Sequence, residues 1–337
     1  MKQGIRAEWY FLFGGLLLFG GAFLATQFLN RYLLYILVLM GIYSIATVSL
    51  NLTNGYAGLF SLGHAAFMAI GAYTSTLLTF PLALREAYEL PMLPSFLGGP
   101  NFVWPFFPAI CMGGVLASVA ALLIGAPVLR LRGHYLSVAS LGFVVIVTTL
   151  AKTMKNLTRG PMGISAIPSY TNIYWTCLWL LITVYVIWRI VNSRFGRAMM
   201  ALREDETAAQ VLGVYPVKYK LMSFVVGAFF AGVAGGLYAH FTKAIRPFEF
   251  SFFLTFQIVV MLILGGMGTT AGPIVGAVSL LTLRYALKPI EEHLKIYGLI
   301  EIIYAVLLIV VMLFKPEGLV GQKRRVKKMT VGGKSSA

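Results

Sequence analysis

Long apolar runs separated by short polar or glycine-rich breaks organise this chain. The runs fall near 9–29, 32–51, 62–80, 106–129, 134–151, 173–192, 221–241, 250–265, 272–288 and 297–314. Most reach the ~20 residues an α-helix needs to cross the hydrocarbon core of a bilayer. The pattern predicts an all-α polytopic membrane protein with about ten transmembrane helices, and no strand or soluble domain. Residues 250–265 and 272–288 are short, with Gly265-Gly-Met-Gly-Thr-Thr-Ala-Gly-Pro273 between them. They read either as two short spans or as one long broken element. The resulting division is an N-terminus at 1–8, a transmembrane domain at 9–314 and a basic tail at 315–337.

Polar positions orient the spans. An even number of crossings puts both termini on one side. With the N-terminus inside, the inner segments hold 17 of the 27 Lys and Arg residues, the bias expected of cytoplasmic loops. The expectation is therefore N-in and C-in. Residues 81–105, with Pro81, Pro91, Pro94, Pro100 and Pro105, and residues 152–172 then face outward, where an extracytoplasmic partner can dock. Trp9–Leu29 is long enough to span, and no small-residue cleavage site follows the basic start, so no cleavable signal is expected.

Composition agrees with the membrane reading. Hydrophobic residues make up 59% and charged residues 11%, with mean hydropathy +0.83; soluble domains carry ~25% charged residues. The net charge of +16 does not indicate nucleic acid, because the basic residues collect in loops and the tail. The hexapeptide Lys323–Lys328 reads as a topology anchor or as a contact to anionic lipid.

Candidate chemistry is sparse. Cys111 and Cys177 lie in apolar runs, and the four histidines are scattered singly, so no metal site is expected. Asp205 is the only aspartate, which excludes a membrane hydrolase built on an Asp pair. A phosphate loop of the Gly-rich Lys-Ser/Thr type is absent, so the chain does not bind ATP in the usual way and needs no cofactor of its own. Glu301 and Arg284 are the charges well inside spans. An ion-gradient carrier would use such a carboxylate for its coupling ion, whereas Glu301, one turn into its span, can equally snorkel outward.

Two breaks carry the polar content of the spans. The first holds Asn51, Asn54, Gly55, Gly58, Ser61, Gly63 and His64; the second holds Gly265, Gly266, Gly268 and Gly272. Lipid offers backbone groups no partners, so such stretches persist only when buried in protein or lining a watery cavity. They read as a translocation path, or as glycines that let helices pack closely. In 221–241, Gly232 and Gly236, like Ala231 and Gly235, form small-xxx-small faces suited to helix packing.

The longest inner loop, 193–220, is rich in helix formers. Glu204-Asp-Glu206 suits a helix start, and Gly213 followed by Pro216 suits its stop. The segment reads as a plain linker or as a lever that another protein grips.

Four blocks in order resemble the branched-chain amino-acid ABC importer permeases, specifically the LivM-type subunit. They are Asn51–Phe67, Leu131–Leu136 with Ser140–Phe143, Gly196–Val214, and Leu264–Ala277 followed by Phe314–Leu319. The resemblance implies a bacterial cytoplasmic (inner) membrane complex. It would contain a LivH-like second permease, two cytoplasmic ABC ATPase subunits that bind the ATP, and an extracytoplasmic amino-acid-binding protein. It also implies that 196–213 is the coupling loop, with Gly196, Arg197, Glu206, Ala208, Ala209 and Gly213 facing an ATPase. Importers in general carry Glu-Ala-Ala, three residues, then Gly; here Thr207 precedes Ala208-Ala209, and Glu206 lies one place early. Permeases for urea and short-chain amides are similar enough to stand as the alternative substrate class.

Overall fold

The computed structural model describes residues 2–320, apart from 86, 87, 89, 90, 92–98, 100, 101, 130–134, 296, 297 and 316. The tail hexapeptide, most of the Leu131–Leu136 block, and Pro94 and Pro100 lie outside the described residues. The described chain is helical: α1 (Lys2–Phe28), α2 (Arg31–Asn51), α3 (His64–Thr79), α4 (Leu82–Arg85), α5 (Phe106–Val128), α6 (Tyr135–Thr153), α7 (Lys155–Thr158), α8 (Ile173–Val191), α9 (Arg194–Glu204), α10 (Glu206–Val211), α11 (Pro216–Thr242), α12 (Phe252–Gly265), α13 (Gly272–Leu294) and α14 (Leu299–Phe314). Five helical stretches are long and apolar enough to cross a membrane: Arg31–Tyr56, Phe106–Val128, Tyr135–Thr153, Ile173–Val191 and Pro216–Thr242. Shorter apolar helices add Leu17–Phe28, Phe252–Gly265 and Leu299–Phe314. This is an all-α multi-pass membrane architecture.

The core forms where α3, α5 and α11 meet. Their contact is backbone against backbone. A Cβ on Gly71 would stand 2.0 Å from the Gly232 carbonyl oxygen, and one on Gly235 would stand 1.9 Å from the Met68 oxygen. Hydrophobic attraction between helices is absent in lipid, so dispersion across such small-residue faces does the work of association. The small-xxx-small faces anticipated in α11 are used in this way, with Gly236 against the Ser75 hydroxyl. Helix α2 packs on α8, α11, α12 and α13, and its last ten residues, from Ile42 to Asn51, are buried.

The region 250–288 is two helices, not one broken span. Helices α12 and α13 fold back on each other as a hairpin. Gly265 lies against the Gly272 carbonyl and Gly276 against that of Met261, with 1.9 Å left for a Cβ at each. The inner loop also differs from one continuous helix. At Asp205 the backbone is extended (φ −152°, ψ 110°), which separates α9 from α10. The Asp205 carboxylate caps α10 by accepting from the backbone N–H of Thr207 (2.8 Å) and Ala208 (3.0 Å). The break falls at Glu204-Asp-Glu206, where the sequence suits a helix start, because a capping side chain competes locally for backbone donors.

Candidate functional site: two joined helix breaks and a polar cavity

At one end of the bundle α2 does not stop cleanly. It passes into a single π-turn, Leu52–Tyr56. An extended segment follows before α3 opens at His64. Asn51, the last residue of α2, is the joint. Its amide donates to the Thr269 carbonyl (2.8 Å), and its oxygen accepts from the Gly268 N–H (2.8 Å). The two glycine-rich breaks, more than two hundred residues apart in sequence, are thus held face to face. Gly55 leaves no room for a side chain there, since a Cβ would meet the Asn51 oxygen at 1.9 Å and the Gly268 nitrogen at 2.6 Å. Residues after α14 return to the same place: Leu319 and Val320 donate their N–H groups to the carbonyls of Leu264 (2.8 Å) and Gly265 (3.0 Å). Gly266 and Gly268 both adopt positive φ in this turn, and Gly272 donates to the Thr269 hydroxyl (3.1 Å).

The polar residues of the first break find partners within the protein. Asn54 donates to the Ser61 carbonyl (3.2 Å) and accepts from its N–H (3.1 Å). Gly63 donates to the Ser61 hydroxyl (3.3 Å). The buried His64 Nε2 lies 2.7 Å from the Ser49 hydroxyl. These side chains close an internal knot that bridges α2, α3 and the α12–α13 turn.

Arg203, on the last turn of α9, reaches into this knot. Its guanidinium donates to the Gly55 carbonyl. Its aliphatic stem lies over Gly58, where a Cβ would be 2.9 Å from Cγ, and its Nη1 lies 2.7 Å from where a Cβ on Gly268 would be. One side chain of the 193–220 loop therefore touches both breaks. Sequence reasoning missed this residue, because nothing distinguishes it from Arg194 and Arg197 in the same helix.

The remaining coupling candidates spread over α9 and α10. Gly196 lies tight against the Val191 carbonyl, leaving 2.0 Å for a Cβ. Arg197 donates to the Asn192 carbonyl (3.2 Å). Glu206 pairs with Lys220 of α11 (2.7 Å). Ala209 is buried within the chain, while Ala208 is exposed. Gly213 has φ +82° and open space around it. Beyond them Val211, Leu212 and Tyr215 stand 84, 82 and 76% exposed.

The opposite end of the bundle holds a cavity of about 800 Å³ between α2, α11, α12, α13 and α14. Tyr35, Tyr43, Glu249, Gln257, Arg284 and Glu301 are among its lining residues. Glu249 belongs to a short 3₁₀ turn, Pro247–Phe250, ahead of α12. Burial raises its carboxyl above the usual range, against the lowering effect of Arg246. Arg284 and Glu301, named from the sequence as charges within spans, meet here; Gln257, polar in the middle of the 250–265 run, is the signal that sequence reasoning missed.

A core of closely packed helices, a folded-back hairpin and a joint between helix breaks define a multi-pass membrane protein. The family described as "branched-chain amino acid transport system / permease component" matches residues 32–314. The LivM permease protein of Salmonella typhimurium is 32% identical over 86% of this chain and 70% of its own length. The probable LivM protein of Methanocaldococcus jannaschii is 24% identical over 89% of this chain and 98% of its own. The LivH permease protein of Salmonella typhimurium is 23% identical over 83% of this chain and 91% of its own. No solved structure matches. The chain belongs to the branched-chain amino acid transport permease family, a family of transport proteins and not of enzymes.

Proposed function

We propose that this chain is the LivM-type permease subunit of an ABC importer for branched-chain, hydrophobic amino acids. It forms half of the translocation path and takes its energy from cytoplasmic ATPases. In this reading it crosses the bacterial inner membrane about ten times with both termini inside. It pairs with a LivH-like permease and receives substrate from an extracytoplasmic binding protein. ATP is bound by the partner subunits. The observation that carries the reading is the contact of Arg203 with Gly55 and Gly268. Force applied to α9 and α10 reaches both helix breaks through one rigid joint. Exposed Val211, Leu212 and Tyr215 supply an apolar surface for an ATPase to grip.

A path between the two permeases would open alternately to each side as the joint changes arrangement. The candidate path residues contribute by holding the breaks together, so that the backbone there moves as a unit. The test is uptake by the reconstituted complex. ATP-dependent leucine accumulation, insensitive to collapse of the proton gradient, is the expected result. Uptake that follows the proton gradient would replace this reading with an ion-coupled carrier. ATP-driven uptake of urea or acetamide without leucine would place the chain in the amide class.

A further inference from the structure

The large cavity lies away from the joined breaks, and its chemistry is uneven. Its walls are apolar and aromatic: Leu39, Tyr43, Met68, Phe252 and Ile300 among them. Several charged residues are set into those walls, Lys288, Glu291 and Glu301 among them, and Glu249, Gln257 and Arg284 have unused bonding capacity there. The Glu249 Oε2 atom is buried and has no hydrogen-bond partner, and neither has the buried Gln257 Nε2. Arg284 has one weak contact, a donation to the Gln257 Oε1 at 3.4 Å. Among the described residues no ion pair joins Glu249 to Arg284; Lys288, also on the cavity lining, pairs with Glu292 (3.9 Å).

Each vacant group has a definite sign. The Glu249 oxygen is an acceptor with negative charge, while Gln257 Nε2 and the Arg284 guanidinium are donors, one of them cationic. Buried polar atoms without partners are costly, and a cation within an apolar helix adds to that cost. A ligand that offers an ammonium to one side and a carboxylate to the other removes both costs. The aromatic walls then suit a branched hydrocarbon side chain. Neutral urea or an amide meets neither charge.

We propose that this cavity receives the transported amino acid as its zwitterion. Glu249 takes the ammonium, Arg284 and Gln257 take the carboxylate, and the apolar wall takes the side chain. The inference rests on the importer reading above and assigns its substrate site. It also explains why Gln257 and Arg284 are tolerated in otherwise apolar spans: they are completed by cargo that passes through.

The experiment uses the assembled transporter with its binding protein, in proteoliposomes. Leucine uptake by the parent complex is measured first; its absence overturns the importer reading and leaves the cavity proposal without a cargo. Given uptake, Glu249→Gln and Arg284→Gln should each lower its rate by at least about tenfold. ATP hydrolysis stimulated by loaded binding protein should stay within about twofold of the parent. Unchanged uptake, or uptake and stimulated hydrolysis lost together in an assembled complex, overturns the site. A second measurement does not depend on those variants folding. A cysteine at Ser251, on the cavity wall, is labelled in the complex with Cys111 and Cys177 replaced by Ser. Leucine should slow its labelling by about threefold or more, and isoamylamine, isocaproate and urea should not. Equal labelling with and without leucine overturns the proposal.

Discussion

At the scale of single residues, the joint between the breaks is decided by reach and by sign. Asn51 satisfies a donor and an acceptor of the 266–270 turn at once, which a carboxylate of the same shape cannot do. Arg203 adds a charge-assisted bond to the Gly55 carbonyl. Arg203→Leu keeps the stem that covers Gly58 but loses the guanidinium. It should leave the permease inserted and paired with its ATPases while lowering uptake by about tenfold or more. Co-purification alongside uptake checks this, and normal uptake would remove Arg203 from the coupling route. In the core, Gly235→Leu drives a side chain into the Met68 carbonyl. Overpacking of this kind costs about 3 kcal/mol or more, and loss of the monodisperse detergent-solubilised protein in size-exclusion chromatography is the expected result.

At the scale of elements, α9 and α10 are two helices packed against each other. The first is tied to the breaks through Arg203, and the second to α11 through Glu206 and Lys220. Asp205 is the break between them and the cap of α10. Removing the cap in Asp205→Ala should cost about 1 kcal/mol of local helix stability, read as faster amide exchange at Thr207 and Ala208. The apolar surface Val211, Leu212 and Tyr215 belongs to the end of α10 and the turn beyond it. Leu212→Asp places a charge on that surface without touching the interior. ATPase subunits should no longer co-purify with the permease, whereas retained binding with full uptake would show that this surface is not the grip.

For the whole molecule, the α9–α10 end and the cavity end lie at opposite poles of the bundle. The ten-span reading puts them on opposite sides of the membrane. Single cysteines at Thr207 and Ser169 should accordingly label with an impermeant thiol reagent from opposite sides of oriented vesicles. Labelling from the same side would remove that topology. In the proposed importer, cargo contacts would fall at one pole and ATPase contacts at the other; α2, α12 and α13 pack together between them.

The sequence by itself determined that the chain is helical and membrane-bound, because lipid forces every backbone group into a helix and that demand is written as long apolar runs. It also determined that α11 packs through small residues, since their spacing repeats with the helix. The two breaks were legible as glycine-rich polar stretches, and their family was legible from motifs in fixed order. Only the tertiary structure decided that the breaks meet. The bonds from Asn51 to Gly268 and Thr269 span a separation that no local pattern encodes. The same holds for Arg203, one basic residue among several in its loop. It holds most of all for the cavity. Glu249, Gln257 and Arg284 are single polar residues in three different segments, and their complementary vacancies exist only once α12 and α13 fold back against α2.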